Sequence, residues 1–482
     1  MFNLMAQGAA MLSQPDVIIA LIAGTLGGMF IGAMPGLSAS MAVALLIPVT
    51  FGMSGEAGIT LLTAVYTSAI YGGSITACLL HTPGTPASAA TAADGFALTK
   101  QGKGLKAIGV STVASMIGGT ISAIALLFIA PALSQVALKF SSLEYFLIGV
   151  FGLTIIGSLA GDNMMKGLLS GCLGLMIGCI GLDIQSSAPR YCFGILELQS
   201  GIQLVPAMIG LFSLSQVMFS IEDVAKGKHT VLDENAKNLT GSPVPTWKEF
   251  KPLIPTIAQS SIIGVLVGIL PGAGGDIGSW ISYNTAKNSS KHPEEFGHGS
   301  LVGIAASETA NNAVTGGALI PLLTLGIPGS GVAAIMLGGL MIKGLNPGYK
   351  LFSDPTTGPI VYCIILAFAL ANVLMGVAGL GICKQVVKIS TIPMTILAPM
   401  IVALSTVGSY AVRQSIFDVW VMLVFGFIGY FMRKYGFATA PVVLAMILGP
   451  IAESNWRQTL TITKRTGLLE YFWTRPISIA LV

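Results

Sequence analysis

Apolar runs follow one another along almost the whole chain, and several of them stop at a Pro-Gly pair. A helix needs roughly 20 mostly apolar residues to cross a bilayer. Segments 59–80, 107–130, 143–160, 165–182, 201–220, 252–270, 300–325, 357–380, 393–410 and 415–432 meet that requirement. Shorter runs at 17–34, 39–53, 273–286, 331–342 and 437–451 are expected to be re-entrant or broken helices. Charged residues make up only 9% of the 482 and hydrophobic ones 53%, against about 25% charged in soluble domains. Such a chain cannot build a polar surface, so the bilayer must serve as its solvent. The expected fold is an all-α polytopic membrane protein surrounded by lipid bilayer, its 60 glycines and 24 prolines suited to close packing of membrane helices.

The net charge of +4 is spread over short polar segments and gives no footing for nucleic acid. The six cysteines lie mostly in apolar runs without metal-ligand spacing, and read as small buried hydrophobes. No basic segment precedes an apolar one at the N-terminus, so the chain from Asp16 onward reads as the first membrane element and not as a signal peptide. Basic residues at Lys100–Lys106 and Arg433–Lys434 are expected to face the cytoplasm. Arg190, Asp183 and Glu197 border an apolar segment and read as interfacial.

The chain repeats itself. Gly28-x-x-x-Gly32-x-x-Pro35-Gly36 ends one apolar run, and Gly264-x-x-x-Gly268-x-x-Pro271-Gly272 ends another, 236 residues later. Tyr71-Gly72-Gly73 leads to Thr82-Pro83-Gly84-Thr85-Pro86-Ala87-Ser88. Thr315-Gly316-Gly317 leads to Ile327-Pro328-Gly329-Ser330-Gly331-Val332-Ala333 in the same way, with Pro83 and Pro328 245 residues apart. The polar loop 287–299, which the first half lacks, takes up most of the difference. These landmarks divide the chain into an N-terminal half (1–220), a polar linker (221–251) and a C-terminal half (252–482). Whether the halves are inverted depends on the number of spans between them, which the short segments leave open.

A Pro-Gly pair inside a membrane helix unwinds it, because proline removes a donor and glycine admits conformations closed to other residues. Unwound backbone survives at membrane depth only where protein or water satisfies it. Four such breaks in repeat-related places point to a shared polar centre. Each helix that begins at a break directs free N–H groups and a partial charge of roughly +0.5 at the site, which suits an anion. Each helix that stops there presents carbonyls, which suit a cation such as Na+. No Arg or Lys falls inside the breaks. A multiply charged anion entering a cell works against about 2.3 kcal/mol per charge per 100 mV, which cotransported cations would offset. The expected substrate-binding residues are Pro35, Gly36, Ser38, Ser40, Thr82, Pro83, Gly84, Thr85, Pro271, Gly272, Gly274, Gly275, Asn312, Pro328, Gly329 and Ser330, with Ser88 another small hydroxyl nearby.

Ionisable residues at membrane depth are costly and usually functional. Glu308 lies in Ser307-Glu308-Thr309-Ala310-Asn311-Asn312, inside an otherwise apolar stretch. Glu308 and Asn312 can serve a site or coupling role, or hydrogen-bond between helices. Asp276 can bind a cation, carry a proton or cap the next half-helix. Asp276, Glu308, Asn311, Asn312 and Thr324 are therefore the candidate ion-coupling residues. His81 can titrate near neutral pH or fill a packing role. Asp94-Gly95 reads as a turn or cap. The absence of HExxH, Walker A and Gly-x-Ser-x-Gly patterns argues against an enzyme and against ATP-driven transport by this chain alone.

At these residues the sequence resembles the large membrane subunit, TctA, of the tripartite tricarboxylate transporters. The stretches that carry the resemblance are Gly28–Ser38, Tyr71–Gly95, Gly264–Tyr283 and Glu308–Gly348, the last with Glu-Thr-Ala-Asn-Asn-Ala, Leu-Gly-Ile-Pro-Gly and Gly344-Leu345-Asn346-Pro347-Gly348. The resemblance spans residues 15 to 450. It implies a secondary transporter of the bacterial inner membrane, working with a small membrane subunit and a periplasmic substrate-binding protein. It implies carboxylate substrates of the citrate type, a sodium or proton gradient as drive, and no cofactor. His81, where the family leads one to expect Asn, and Asp276, where it leads one to expect a small residue, depart from the pattern beside two breaks. Alternating access is the expected mechanism, with a mobile domain carrying the four breaks against a static scaffold, by analogy with other duplicated carboxylate transporters. A stand-alone anion transporter, a channel and a membrane-embedded enzyme are the alternatives.

Overall fold

Backbone polar groups in hydrocarbon must pair within their own helix, and the chain obeys this almost throughout. The computed structural model describes residues 2–34, 37–80, 84–155, 163–183, 186–226, 241–389, 394–464 and 467–481. Its principal helices are α1 Phe2–Leu12, α2 Pro15–Gly32, α3 Ala39–Leu46, α4 Gly55–Leu80, α5 Ala89–Lys100, α6 Gly104–Ala137, α7 Ser142–Ile155, α8 Met164–Gly178 and α9 Leu204–Ala225. They continue with α10 Ile254–Ile269, α11 Gly274–Ser289, α12 Leu301–Leu325, α13 Gly331–Ile342, α14 Thr357–Ile389, α15 Met394–Ala411, α16 Ile416–Lys434 and α17 Ala440–Ile462. The one sheet among the described residues is a ribbon of two-residue strands, Gly181–Leu182 against Pro189–Arg190.

By length and composition, seven helices can cross a membrane: α2, α4, α6, α9, α10 with its lead-in from Trp247, α14 and α16. Several expectations shift. The 17–34 run, read as too short, is one of the seven. Conversely, 165–182, read as a full span, gives the shorter α8, and 437–451 extends to the 23-residue α17, while the end of the 143–160 run, beyond Ile155, lies outside the described residues. Within 221–251, α9 runs on to Ala225, a capped turn starts at Trp247, and 227–240 lies outside the described residues. Cys172 is exposed and Cys179 half-buried, so the reading of all cysteines as buried hydrophobes does not hold for them.

The two landmark sets fold alike. A methyl group on Gly28 or Gly32 of α2 would strike Val65 and Ala69 of α4, and one on Gly264 or Gly268 of α10 would strike Ala310 and Val314 of α12. The first partners are 236 residues apart (28 to 264, 32 to 268) and the second 245 (65 to 310, 69 to 314). Gly72 packs on Met29 as Gly317 packs on Val265. Gly72 therefore corresponds to Gly317, and Gly73 to Ala318. The pairing of Gly72-Gly73 with Gly316-Gly317 suggested by sequence is one residue out of register.

The long helices then exchange partners. α6 packs along α12, with Gly118 against the Thr309 carbonyl, while α14 packs along α4 and α6, where Asn372 fills the space left by Gly119. α4, thus surrounded, is buried over its whole apolar stretch. Around this centre α17 packs on α7 and α8, and α16 packs on α9. An ion-pair network of Arg190 to Glu453 (2.7 Å), Arg457 to Asp183 (2.8 Å) and Arg457 to Glu453 (2.7 Å) fastens the ribbon to the end of α17.

Asp94 is a second fastening. It sits within α5, not in a turn, and is fully buried. Its Oδ1 accepts from the backbone N–H groups of Gly297 (2.7 Å), Gly299 (2.9 Å) and Ser300 (2.8 Å), and its Oδ2 from the Tyr283 hydroxyl (2.9 Å). α5 is thereby tied to α11 and to the entry of α12. Asp94→Ala would leave these donors buried and unsatisfied, at about 1–3 kcal/mol each when unrelieved. The expected result is a loss of at least about 3 kcal/mol in stability, read as a lower melting temperature in detergent micelles.

Candidate functional site

Four helices begin immediately after the four breaks: α3, α5, α11 and α13. Their first turns are capped by small hydroxyl side chains or opened by glycine. Ser38 accepts from Met41 N–H (3.2 Å) at α3, and Ser330 from Ala333 N–H (3.1 Å) at α13. Thr85 and Ser88 form a capping box in the 3-10 turn Pro86–Ser88 that leads into α5. At α11 the chain turns through Gly272 (φ 75°) and Gly274 (φ 66°), left-handed conformations that glycine adopts without steric cost. Ser40 lies half-buried in the first turn of α3. Pro35, Gly36, His81, Thr82 and Pro83 lie outside the described residues.

The breaks touch one another in pairs. A methyl on Gly84 would collide with the carbonyl of Gly32, at the end of α2, and one on Gly329 with the carbonyl of Gly268, near the end of α10. The segments at 84 and 329 are thus fitted against the ends of α2 and α10 in the same manner. Beyond them, α3 packs on α13, and α11 packs on α5 and its entry turn. Gly274 N–H donates to the Gly329 carbonyl (3.3 Å), which joins the third break to the fourth.

Between these ends run α4 and α12, whose polar residues face each other. Tyr66 on α4 shares a hydrogen bond with Ser330 Oγ (3.0 Å) at the start of α13. Asn311, its counterpart 245 residues on, faces the other pair of ends. A methyl on Gly275 would lie 2.8 Å from Asn311 Oδ1 and 3.1 Å from Ala87 Cβ. Asn311 is fully buried, and neither its carbonyl oxygen nor its amide nitrogen has a hydrogen-bond partner. Asn312 Nδ2 reaches the Thr67 hydroxyl (3.2 Å), which donates to Asn372 Oδ1 on α14 (2.7 Å). Thr67 and Asn312 are themselves 245 residues apart, so equivalent positions of the two halves meet here.

Glu308 lies one turn from Asn311 and Asn312 and is also fully buried. It accepts hydrogen bonds from Ser74 of α4 (2.7 Å), Ser115 of α6 (2.8 Å) and Thr91 of α5. Thr91 also meets Ser307 (2.8 Å). Asp276 is exposed in the first turn of α11, apart from the Glu308 cluster. Thr324 donates to Ile320 O (2.7 Å) within its own helix. Beside the end of α12, a cavity of about 550 Å³ is lined in part by Leu325, Gly326, Leu337, Met341, Asn346 and Pro347.

Sequence reading did not single out Tyr66, Thr67, Ser74, Thr91, Ser115 or Asn372. For Tyr66 and Thr67 a signal existed, the offset of 245 applied to Asn311 and Asn312. The others reach the centre from helices whose rotation the sequence does not fix.

The fold and its centre define a multi-pass helical membrane protein in which helices interrupted at repeat-related points enclose a buried polar core. The chain belongs to the Tripartite tricarboxylate transporter TctA family, whose sequence model matches residues 18–444. It is 34% identical over 468 residues, 97% of this chain and 91% of the relative, to an uncharacterized 52.8 kDa protein in the TAR-I ttuC' 3' region of Agrobacterium vitis. An uncharacterized protein in the TAR-II ttuC' 3' region of the same organism is 38% identical over 219 residues, 45% of this chain and 89% of that protein. No solved structure matches.

Asn311 and Asn312 make opposite demands on stability. Asn311→Leu removes no hydrogen bond and takes away a buried amide without partners, so its melting temperature in micelles should equal or exceed that of the wild type. Asn312→Leu breaks the link to Thr67 and should cost about 1–2 kcal/mol, seen as a lower melting temperature.

Proposed function

We propose that this chain is the membrane-spanning subunit of a secondary transporter that imports carboxylates of the tricarboxylate type across a bacterial inner membrane. It would act with a small membrane subunit and a periplasmic substrate-binding protein, driven by a sodium or proton gradient, and not as an enzyme. The observation that carries this reading is the unpaired, buried carboxamide of Asn311 between the N-terminal ends of α5 and α11. A buried amide without partners costs about 1–3 kcal/mol, a cost that binding of a carboxylate would relieve. The N–H groups of the two adjoining first turns supply positive potential without Arg or Lys. The second pair of ends, at Ser38 and Ser330, offers the same chemistry to a further carboxylate of one substrate.

Residues 1–220 and 252–482 then act as two repeat halves joined by 221–251, and alternating access moves the breaks past the surrounding helices. The residues that hold substrate in this reading are Ser38, Gly84, Thr85, Gly274, Gly275, Asn311, Asn312 and Ser330. Asp276, at the exposed start of α11, and Glu308 are the ionisable groups available for coupling. The cavity beside Gly326 and Pro347 supports a route to the fourth break from one membrane face.

Uptake of radiolabelled citrate into proteoliposomes tests the reading. The complete set of subunits and binding protein should transport, and this chain alone should not. Asn311→Leu should lower uptake by about tenfold or more while the protein stays folded. Full-rate uptake by the chain alone would favour a stand-alone transporter, and undiminished uptake by the Asn311 variant would remove the proposed pocket.

A further inference from the structure

Five acidic side chains are buried among the described residues: Asp94, Glu144, Asp183, Glu308 and Asp418. Four are each held by at least one group that can only donate. Glu144 is bound by Arg475 and the Ser141 N–H, Asp183 by Arg457 and the Ser186 N–H, Asp418 by Arg413, and Asp94 by three backbone N–H groups. Backbone N–H and guanidinium groups cannot turn round to accept. Glu308 differs. Its partners are the hydroxyls of Ser74, Thr91 and Ser115, and among the described residues no Lys, Arg or His lies within ion-pair distance of it.

A hydroxyl both donates and accepts. The three around Glu308 can donate to a carboxylate, and one can rotate to accept from a carboxylic acid, without movement of the backbone. They reach the carboxyl oxygens directly, at 2.7 Å for Ser74 and 2.8 Å for Ser115. Contacts this short are direct hydrogen bonds, and a proton can be added to the carboxyl group without widening them. A buried carboxylate without a counter-charge is strongly disfavoured, and taking up one proton removes the charge. The titratable groups that face Glu308 are Tyr71 and Cys78 of α4, with Asp94 of α5 beyond Cys78. α10 and α13 contribute none, α6 only Lys106, which is paired with Glu249, α5 also the exposed Lys100 at its far end, and α11 contributes Tyr283, bound to Asp94, and the exposed Asp276 and Lys287. The equivalent position in the first half, 245 residues earlier, is Thr63, whose hydroxyl bonds within its own helix (2.9 Å to Ile59 O).

From this geometry we infer that Glu308, with Ser74, Thr91 and Ser115, is a proton-binding site that serves the transport cycle, one per chain and lacking a counterpart in the first repeat. The inference rests on the transport reading only for what the proton drives, since proton binding is a property of the isolated chain. Charge neutralisation at Glu308 would let α12 and its neighbours cross the membrane without carrying a buried charge.

Infrared difference spectra of the purified full chain, recorded in micelles as pH is stepped between about 5 and 9, test the site without substrate or partners. The wild type should show a reversible carboxylic-acid band that Glu308→Gln lacks. Ser115→Ala, which keeps the carboxyl and loses one donor, should move the midpoint of that band, and it serves if the Gln variant does not fold. An unchanged band in Glu308→Gln, an unmoved midpoint in Ser115→Ala, or no titrating band in the wild type would each overturn the inference. In proteoliposomes holding the complete transporter, stimulation of uptake by an imposed proton gradient should fall about tenfold or more in Glu308→Gln, with exchange of internal for external carboxylate retained. Stimulation by a sodium gradient alone would also overturn it. The spectra can fail while carboxylate uptake succeeds, and the reverse, so the two readings stand or fall separately.

Discussion

A helix that stops inside a membrane leaves four donors or four acceptors without water to satisfy them, and the centre of this protein is arranged around that difficulty. Ser38, Thr85 and Ser330 cap the helices that restart. The Gly329 carbonyl takes a donor from Gly274 across the gap between two breaks. Glycines at 84 and 329 bring the interrupted chain against the ends of α2 and α10, close enough that no side chain would fit. Polarity is thereby concentrated at a few points that only the rest of the protein can shield. α4, which packs on three of the restarting helices, α3, α5 and α13, has no face left for lipid along its apolar stretch.

Symmetry and its failure carry different information. The contacts that recur at offsets of 236 and 245 are made by small residues and main-chain atoms, the parts that set how close helices approach. The positions that differ are the ones with chemistry. Tyr66 faces Asn311's equivalent surroundings with a phenol that has a partner, where Asn311 has none. Thr63 satisfies itself within α4, where Glu308 gathers hydroxyls from three other helices. A duplicated frame that keeps its packing and varies its polar side chains can bind an asymmetric load.

Much of this was legible in the sequence because the features that declare a membrane helix and a break are local. The Pro-Gly pairs, the glycine spacing at 28, 32, 264 and 268, and the polar run 307–312 mark the elements that form the centre. What the sequence could not show was rotation and depth. Ser74, Thr91 and Ser115 are ordinary small residues in small-residue helices, and nothing in their neighbours says that all three turn toward Glu308. Asp94, with Gly95 after it, carries the marks of a turn, yet it lies mid-helix and reaches across to another loop's N–H groups. The lengths of α2, α8 and α17 differ from expectation for a related reason, since apolarity counts residues and does not reveal where a neighbouring helix or a polar end lets the chain stop.

α12 has a consequence for how the protein is made. With Glu308, Asn311 and Asn312 near its middle it would leave a translocon poorly on its own, an acidic residue at a helix centre costing roughly 3 kcal/mol on insertion scales. The hydroxyls that receive Glu308 all lie on α4, α5 and α6, which emerge from the ribosome first. Biogenesis therefore has a direction: the early helices must already be assembled in the bilayer as a docking surface before the later one can be retained there.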